Sequence, residues 1–356
     1  MHKILLHGAT NWGSSNFGDY IYVDAAIRHI KSIAPESEIR IAEPSDYFLA
    51  HLPGFVQADF RESDADLVVY VPGGYFGEGH AYRFRDALIH FVRFMPVGIR
   101  AILRKQRICV VGIGAGPISN PLLKWGVKRI CDYACSVSVR DRESLLALEG
   151  IGVKNVSLAF DPIVALPIRS WKKPLSQSFA SRLDSNKRGL LVHYNHSKMA
   201  MEYFAHAVKS YMSTRSNTVS VVVMSDQLLD SEEELFSQFC ELSGVDALRF
   251  RYDDPYEAIS VIDSASCVLT CKLHVGVVAT MLGSSVICAA EHPEKSKRFY
   301  KYIGCPERCF SLYETSSQGI ADAMEKMFII PMQPISPADI ELASAAWDGV
   351  DLCLRS

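Results

Sequence analysis

The chain has 356 residues, 49% of them hydrophobic and 22% charged, with a formal net charge of −3 at pH 7. That length and composition belong to a globular protein with room for two cores of ordinary domain size. The balance of charge offers nucleic acid no global attraction, and the apolar runs are broken well short of the roughly 18 residues a spanning helix needs. Residues 1–10 carry only a strand-length apolar run, too short for a signal-peptide core, so a soluble, cytoplasmic protein is expected.

From the N-terminus, short β-branched runs alternate with amphipathic helical patterns. Strands are expected at 3–6, 38–41, 66–71, 107–112, 136–139 and 156–160, with helices near 20–33, 81–95, 121–134 and 141–149. A second series follows. Its strands fall near 189–193, 218–224, 247–250, 266–271 and 285–289, and its helices near 197–213, 230–242, 255–263, 273–282, 294–303 and 316–328. Alternation of this kind calls for largely parallel sheets with helices on both faces. The polar, Ser-rich stretch between the series divides the chain into a domain at 1–170, a linker at 171–188, a domain at 189–330 and a helical segment at 331–356.

Ten cysteines lie mostly in apolar surroundings and read as core thiols of a reducing compartment. Three pairs share a Cys-x3-Cys gap, but none joins a second pair at finger-like spacing, and no metal or cofactor is expected. Cys271, beside Lys272, is the thiol singled out for reactivity.

Several strand ends carry ligand-binding residue types. The segment 8–19 runs twelve residues between strand and helix, against the usual two to six. It is rich in Gly, Ser and Asn, and Asp19 is placed to cap the helix that follows. Glycine clusters at 71–80 (Gly73, Gly74) and 112–117 (Gly114, Gly116) serve either tight turning or close approach of backbone to a ligand. Arg140 ends one strand, with Asp141 capping the next helix, and suits an ion pair as well as an anion. Asp161 precedes a proline and suits a turn equally well. In the second series Lys272 and His274 stand where a strand gives way to a helix, the edge at which open α/β sheets bind ligands. Lys295, Lys297 and Arg298 follow the next strand, and a solvated charged face is their simpler meaning.

The segments Asn16-Phe17-Gly18-Asp19, Pro72-Gly73-Gly74, 112–117, 139–144, Asp161-Pro162, Lys272-Leu273-His274 and Lys295 ahead of Phe299, in this order and spacing, resemble the polysaccharide pyruvyl transferase family over most of the chain. The resemblance implies two Rossmann-like domains with mainly parallel sheets facing a cleft, as in GT-B glycosyltransferases. It also implies transfer of a pyruvyl group from phosphoenolpyruvate to a sugar as a ketal, in polysaccharide or exopolysaccharide biosynthesis. By carry-over, Arg140, His274 and Lys295 correspond to functional residues of the family, while Lys272 stands where the family usually has Arg and Tyr75 where a third glycine is common. In that scheme Arg140, Lys272 and Lys295 hold the donor and His274 moves protons. Asn16, Gly18, Asp19, Gly73, Gly74, Tyr75, Gly114, Gly116 and Asp161 line the acceptor side or its loops, and Tyr75 is expected to narrow the acceptor cleft or stack on a sugar.

The acceptor implied is a sugar, a nucleotide-sugar or a lipid-linked saccharide; a homo-oligomer is compatible with this reading. Two rivals use the same features: a GT-B glycosyltransferase with a nucleotide-sugar donor, and a non-catalytic scaffold of polysaccharide assembly. Residues 82–106, basic and amphipathic, suit peripheral contact with the inner face of a membrane, or a domain-packing helix interrupted at Pro96.

Overall fold

The computed structural model describes the chain except for residues 11–13, 79–83, 185, 214, 216, 217 and 356, and the side chain of Phe84. Parts of the expected 8–19 and 71–80 loops, the start of the basic helix and Ser185 therefore lie outside the described residues. Two compact units form. One comprises Met1–Ser15, Asp19–Leu166 and Ser336–Ser356; the other comprises Asn16–Gly18 and Pro167–Ile335. The stretch 171–188 lies in the second unit, where Phe179 is buried. Of the C-terminal segment, Ser336–Ser356 lies in the first, its Trp347 stacked on His29 with ring centroids 4.9 Å apart.

The first unit is built on strands β1 (Lys3–His7), β2 (Glu38–Ile41), β3 (Leu67–Tyr70), β4 (Gly73–Phe76), β5 (Arg107–Ala115), β6 (Ser136–Val139) and β7 (Ser157–Leu158). Their order is β2-β1-β3-β5-β6-β7, with β4 on β5, and the pairings are parallel. All four residues of β3 are buried, as expected of a strand covered on both faces by helices.

Two expectations fail here for local reasons. The glycine clusters expected as loops are partly strand: Gly73–Phe76 pairs with a β5 that runs on to Ala115. A register shift between Val110 and Ile113 allows this. It contains Gly112 at φ +51°, where a Cβ would lie 2.5 Å from Pro162 Cγ; only glycine accepts that conformation at no steric cost. Tyr75 accordingly points into the core at 3% exposure. It stacks on Phe94 at 4.4 Å and donates its hydroxyl to the Val71 carbonyl, so it presents no face to a sugar.

The basic helix is also not interrupted at Pro96: Phe84–Leu103 is continuous through it. The missing proline N–H would have bonded the carbonyl of Val92, a residue on the solvent side at 53% exposure, where water can serve instead. The opposite side buries Ala87, Phe94, Met95, Val97 and Ala101, and Arg100 and Arg104 pair with Glu62. Among the described residues no helix is long and apolar enough to cross a membrane.

The second unit is built on β8 (Arg188–His193), β9 (Val219–Met224), β10 (Leu248–Phe250), β11 (Cys267–Thr270), β12 (Ser285–Ala290) and β13 (Cys309–Ser311), in the parallel order β10-β9-β8-β11-β12-β13. The last strand was not expected; three residues are too few to show a period, and it exists because Cys309 pairs with Cys288 on β12. Counted within the unit, the order is 3-2-1-4-5-6, which reverses direction between β8 and β11. Crevices for ligands open outside the carboxyl ends of strands at such a reversal.

Candidate active site

At that reversal β8 ends in His193 and β11 in Thr270, register partners whose side chains meet, Nδ1 to Oγ1 at 2.8 Å. The chain then turns sharply. The Lys272 amide donates to Thr270 Oγ1 at 3.0 Å, and Lys272 becomes the N-terminal boundary of the helix Leu273–Leu282. This elbow sets Lys272 and His274, both half-buried, at a helix N-terminus, where the backbone field favours anions.

The ring of His274 lies against Gly18, close enough that any Cβ at position 18 would overlap Nδ1 and Cγ. Gly18 is itself held by Asn16, whose side-chain oxygen accepts its amide at 3.0 Å. The helix begins at Phe17, so Asp19 sits inside its first turn and not at the residue before it. A polar residue beneath the elbow escaped the sequence reading. Asp226, 2% exposed, follows β9, accepts from Asn16 Nδ2 at 3.1 Å and approaches His193 Nε2 at 3.5 Å. Burial opposes charge on Asp226, but His193, Lys272 and His274 outweigh it and hold its carboxyl below the usual range. Both His193 and Asp226 lie at the ends of expected strands, the rule that found Lys272, so the signal was present and unused.

Lys295 opens the helix Glu294–Tyr302 after β12, the strand beside β11. Lys297 diverges into solvent, 3.4 Å from Glu314. The loops after β8 and β12 are tied together by Ser197, which donates to Glu291. His196, in the loop after β8, is pushed down by burial and by Lys272. Burial pushes the Cys271 thiol up despite the adjacent Lys272, which leaves the sulfur protonated and a poor nucleophile. Among the described residues no cluster of His, Cys, Asp and Glu could hold a metal ion.

In the first unit Arg140 is 5% exposed and committed to its own neighbours. Its Nη1 donates to the Tyr22 hydroxyl at 3.2 Å and lies 3.8 Å from Asp161 Oδ2. Tyr22 donates to Asp161 at 2.9 Å, and Asp161 also caps the turn at Ile163. Burial pushes the Asp161 carboxyl up, against the pull of Arg140. Gly114 leaves room for the guanidinium, whose Nη2 would lie 2.9 Å from a Cβ there. Asp141 caps its helix as expected, accepting from the Ser144 amide at 2.7 Å. Of the remaining glycines, Gly73 faces the Tyr75 ring, Gly74 is exposed and Gly116 takes φ +81°.

Two Rossmann-like units with parallel sheets and a charged elbow at a topological reversal define a protein of the GT-B-like class. Solved structures agree on the fold. The UDP-GlcNAc 2-epimerase of Methanocaldococcus jannaschii, in complex with UDP-GlcNAc and UDP, superposes with a TM-score of 0.61 at 11% identity, over 100% of both chains. That of Neisseria meningitidis, bound to UDP-GlcNAc, gives 0.63 at 12% identity over 100% of both. Anabaena HepE in complex with UDP-glucose gives 0.53 at 12% identity, over 100% of this chain and 95% of that one. No curated protein sequence matches the chain. A sequence profile of the polysaccharide pyruvyl transferase family matches residues 16–293, and the chain belongs to that family.

Proposed function

We propose that the protein transfers the pyruvyl group of phosphoenolpyruvate to two hydroxyls of a sugar, forming a ketal and releasing phosphate. The observation that carries this reading is the elbow at β11, with Lys272 and His274 together at a helix N-terminus beside the reversal of the second sheet. Phosphoenolpyruvate brings a phosphate and a carboxylate, and Lys272 and Lys295 on adjacent strand ends suit such a dianionic donor. Arg140, tied to Tyr22 and Asp161, acts chiefly by shaping its own strand end.

The reaction adds a proton to the methylene carbon and a sugar oxygen to the central carbon, whose proton a base removes. The second hydroxyl then attacks the same carbon, its proton leaves, and the carbon–oxygen bond to phosphate breaks. His274 is the group suited to carry these protons, because imidazole changes charge near neutrality. The acceptor is a sugar, a nucleotide-sugar or a lipid-linked saccharide. The nucleotide-sugars bound by the two epimerases support the second of these, and equally a glycosyltransferase as the alternative.

Melting of the purified protein with phosphoenolpyruvate, UDP-sugars, GDP-sugars and inorganic phosphate separates the readings. A ligand at about 100 times its Kd stabilises by roughly 2.7 kcal/mol. A phosphoenolpyruvate shift above the phosphate control, lost in Lys272→Ala, is the expected result. A shift with nucleotide-sugars alone sinks this donor assignment, and silence from every ligand favours a scaffold. A lipid-linked acceptor would bring helix Phe84–Leu103 to a membrane. With its Arg100 and the following Arg104 on Glu62, we expect the protein to stay in the supernatant when anionic vesicles are sedimented at low salt.

A further inference from the structure

We infer that Asp226 is a positioning residue which selects the tautomer of His193 and, through Thr270, sets the hydroxyl beneath the Lys272–His274 elbow. The role deepens the reading of that elbow as an active site and rests on it. The argument follows the protons. Asn16 is oriented by Gly18, whose amide donates to Asn16 Oδ1 at 3.0 Å. Its amide nitrogen therefore faces Asp226 and donates to Oδ2 at 3.1 Å. The other carboxylate oxygen and His193 Nε2 are both buried without a hydrogen-bond partner and face one another at 3.5 Å, so a proton on Nε2 is the arrangement that gives each a partner. An ionised carboxylate only accepts, so His193 carries a proton on Nε2.

The neutral ring then has a bare Nδ1, and Thr270 Oγ1 stands 2.8 Å from it. Thr270 Oγ1 already accepts the Lys272 amide at 3.0 Å. Its single proton has two destinations: Nδ1 of His193, or the Lys272 carbonyl at 3.3 Å. With Nε2 protonated, the proton goes to the ring. His193 is 0% exposed, so no bulk solvent blurs the choice. The chain of bonds from Asn16 through Asp226, His193 and Thr270 thus ends on the backbone that carries Lys272 and His274. The lowered carboxyl of Asp226 is consistent with its being the ionised member.

Asp226→Asn tests this with little change of shape. Asn16 still demands an acceptor, so the new amide oxygen takes that side and the new NH2 turns toward His193. That ring must then become an acceptor at Nε2 and move its proton to Nδ1. The Thr270 hydroxyl is displaced onto the Lys272 carbonyl. Long-range nitrogen–proton correlation spectra of the imidazoles, recorded on histidine-labelled full-length protein, read the tautomer directly. The expected result is a neutral Nε2–H tautomer in wild type and an Nδ1–H tautomer in Asp226→Asn. This readout stands whether or not the chain transfers pyruvyl groups, so it fails separately from the functional reading.

In turnover, the variant should lose roughly tenfold or more in kcat, the scale of a misaligned group, with KM for phosphoenolpyruvate within about threefold. Asp226→Asn combined with His193→Gln should be no worse than the more damaged single variant, as expected of residues acting in one line. A proton on Nδ1 in wild type, whether as the neutral Nδ1–H tautomer or as a doubly protonated ring, overturns the assignment. So does a kcat within twofold of wild type in Asp226→Asn, or full additivity of the two substitutions. If Asp226→Asn does not fold, His193→Gln alone is measured, and a kcat unchanged there overturns the line equally.

Discussion

The imidazole of His274 occupies the space where Gly18 lacks a side chain, so two residues 256 positions apart share one volume. Gly18 is thereby not a turn glycine but the floor under the proposed proton carrier, itself held by Asn16. Gly18→Ala should displace the ring while leaving both cores intact. We expect kcat to fall about a hundredfold, since an ångström of misplacement costs that much, with the melting midpoint lowered by only a few degrees. Unchanged turnover in the alanine variant would remove His274 from the mechanism.

Lys272 is a point charge on a flexible stem, where the family resemblance implies a two-pronged arginine. If its task is to meet an anion, Lys272→Arg should keep kcat/KM within about tenfold of wild type. Lys272→Ala should lose roughly a hundredfold, about 2.7 kcal/mol of transition-state stabilisation. Steady-state rates of phosphate release across both variants decide it; equal losses in the two would mean that the elbow tolerates only lysine for packing reasons.

Tyr22, Asp161 and Arg140 form a buried triad in the first unit. Removing the carboxylate leaves the buried guanidinium only Asp141, 3.9 Å from its Nε, as a charged partner, so Asp161→Asn should destabilise by about 3 kcal/mol. Tyr22→Phe, which removes the bond given to Asp161 and the one accepted from Arg140, should cost about 2 kcal/mol. The double variant should cost less than the sum, because both act on one cation. Urea midpoints for the three proteins provide the comparison.

His7, at the end of β1, is 1% exposed and its pKa is lowered to about 4, by burial first, against the hydrogen bond to the Phe94 carbonyl at 3.1 Å. As pH falls below about 6.5 the unfolded chain takes up a proton that the native ring refuses until about pH 4. Stability therefore declines across that window and levels off below it, by on the order of 3 kcal/mol in total. His7→Phe should flatten this slope. The Phe94 carbonyl keeps the Tyr70 hydroxyl at 2.9 Å as its donor, so little else is lost. An identical pH dependence of the urea midpoint in His7→Phe and wild type would show that another group dominates.

The strands and helices with a clear local pattern were legible in advance: the all-buried runs of β3 and β11, and the helix begun by Asp141 as its cap. So was the placement of Lys272 and His274 at a strand end, because local pattern decides where a strand gives way to a helix. The glycine clusters read wrongly because Gly73–Phe76 becomes a strand only when β5 is beside it, and Tyr75 has an exposed or buried fate only through Phe94. Pro96 read wrongly because the penalty for a missing N–H depends on which side of the helix faces water.

Residue type and spacing along the chain thus determined the alternating architecture, the family and the cations at the elbow, all of which are written in short segments. Only the tertiary structure decided that His193, Thr270 and Asp226 meet beneath it, that Gly18 makes room for His274, and that Arg140 spends its charge on Asp161. These relationships join residues tens to hundreds of positions apart. Parallel strands bring such residues to one edge, since each crossover returns the chain in the same direction and aligns carboxyl ends that no local period connects.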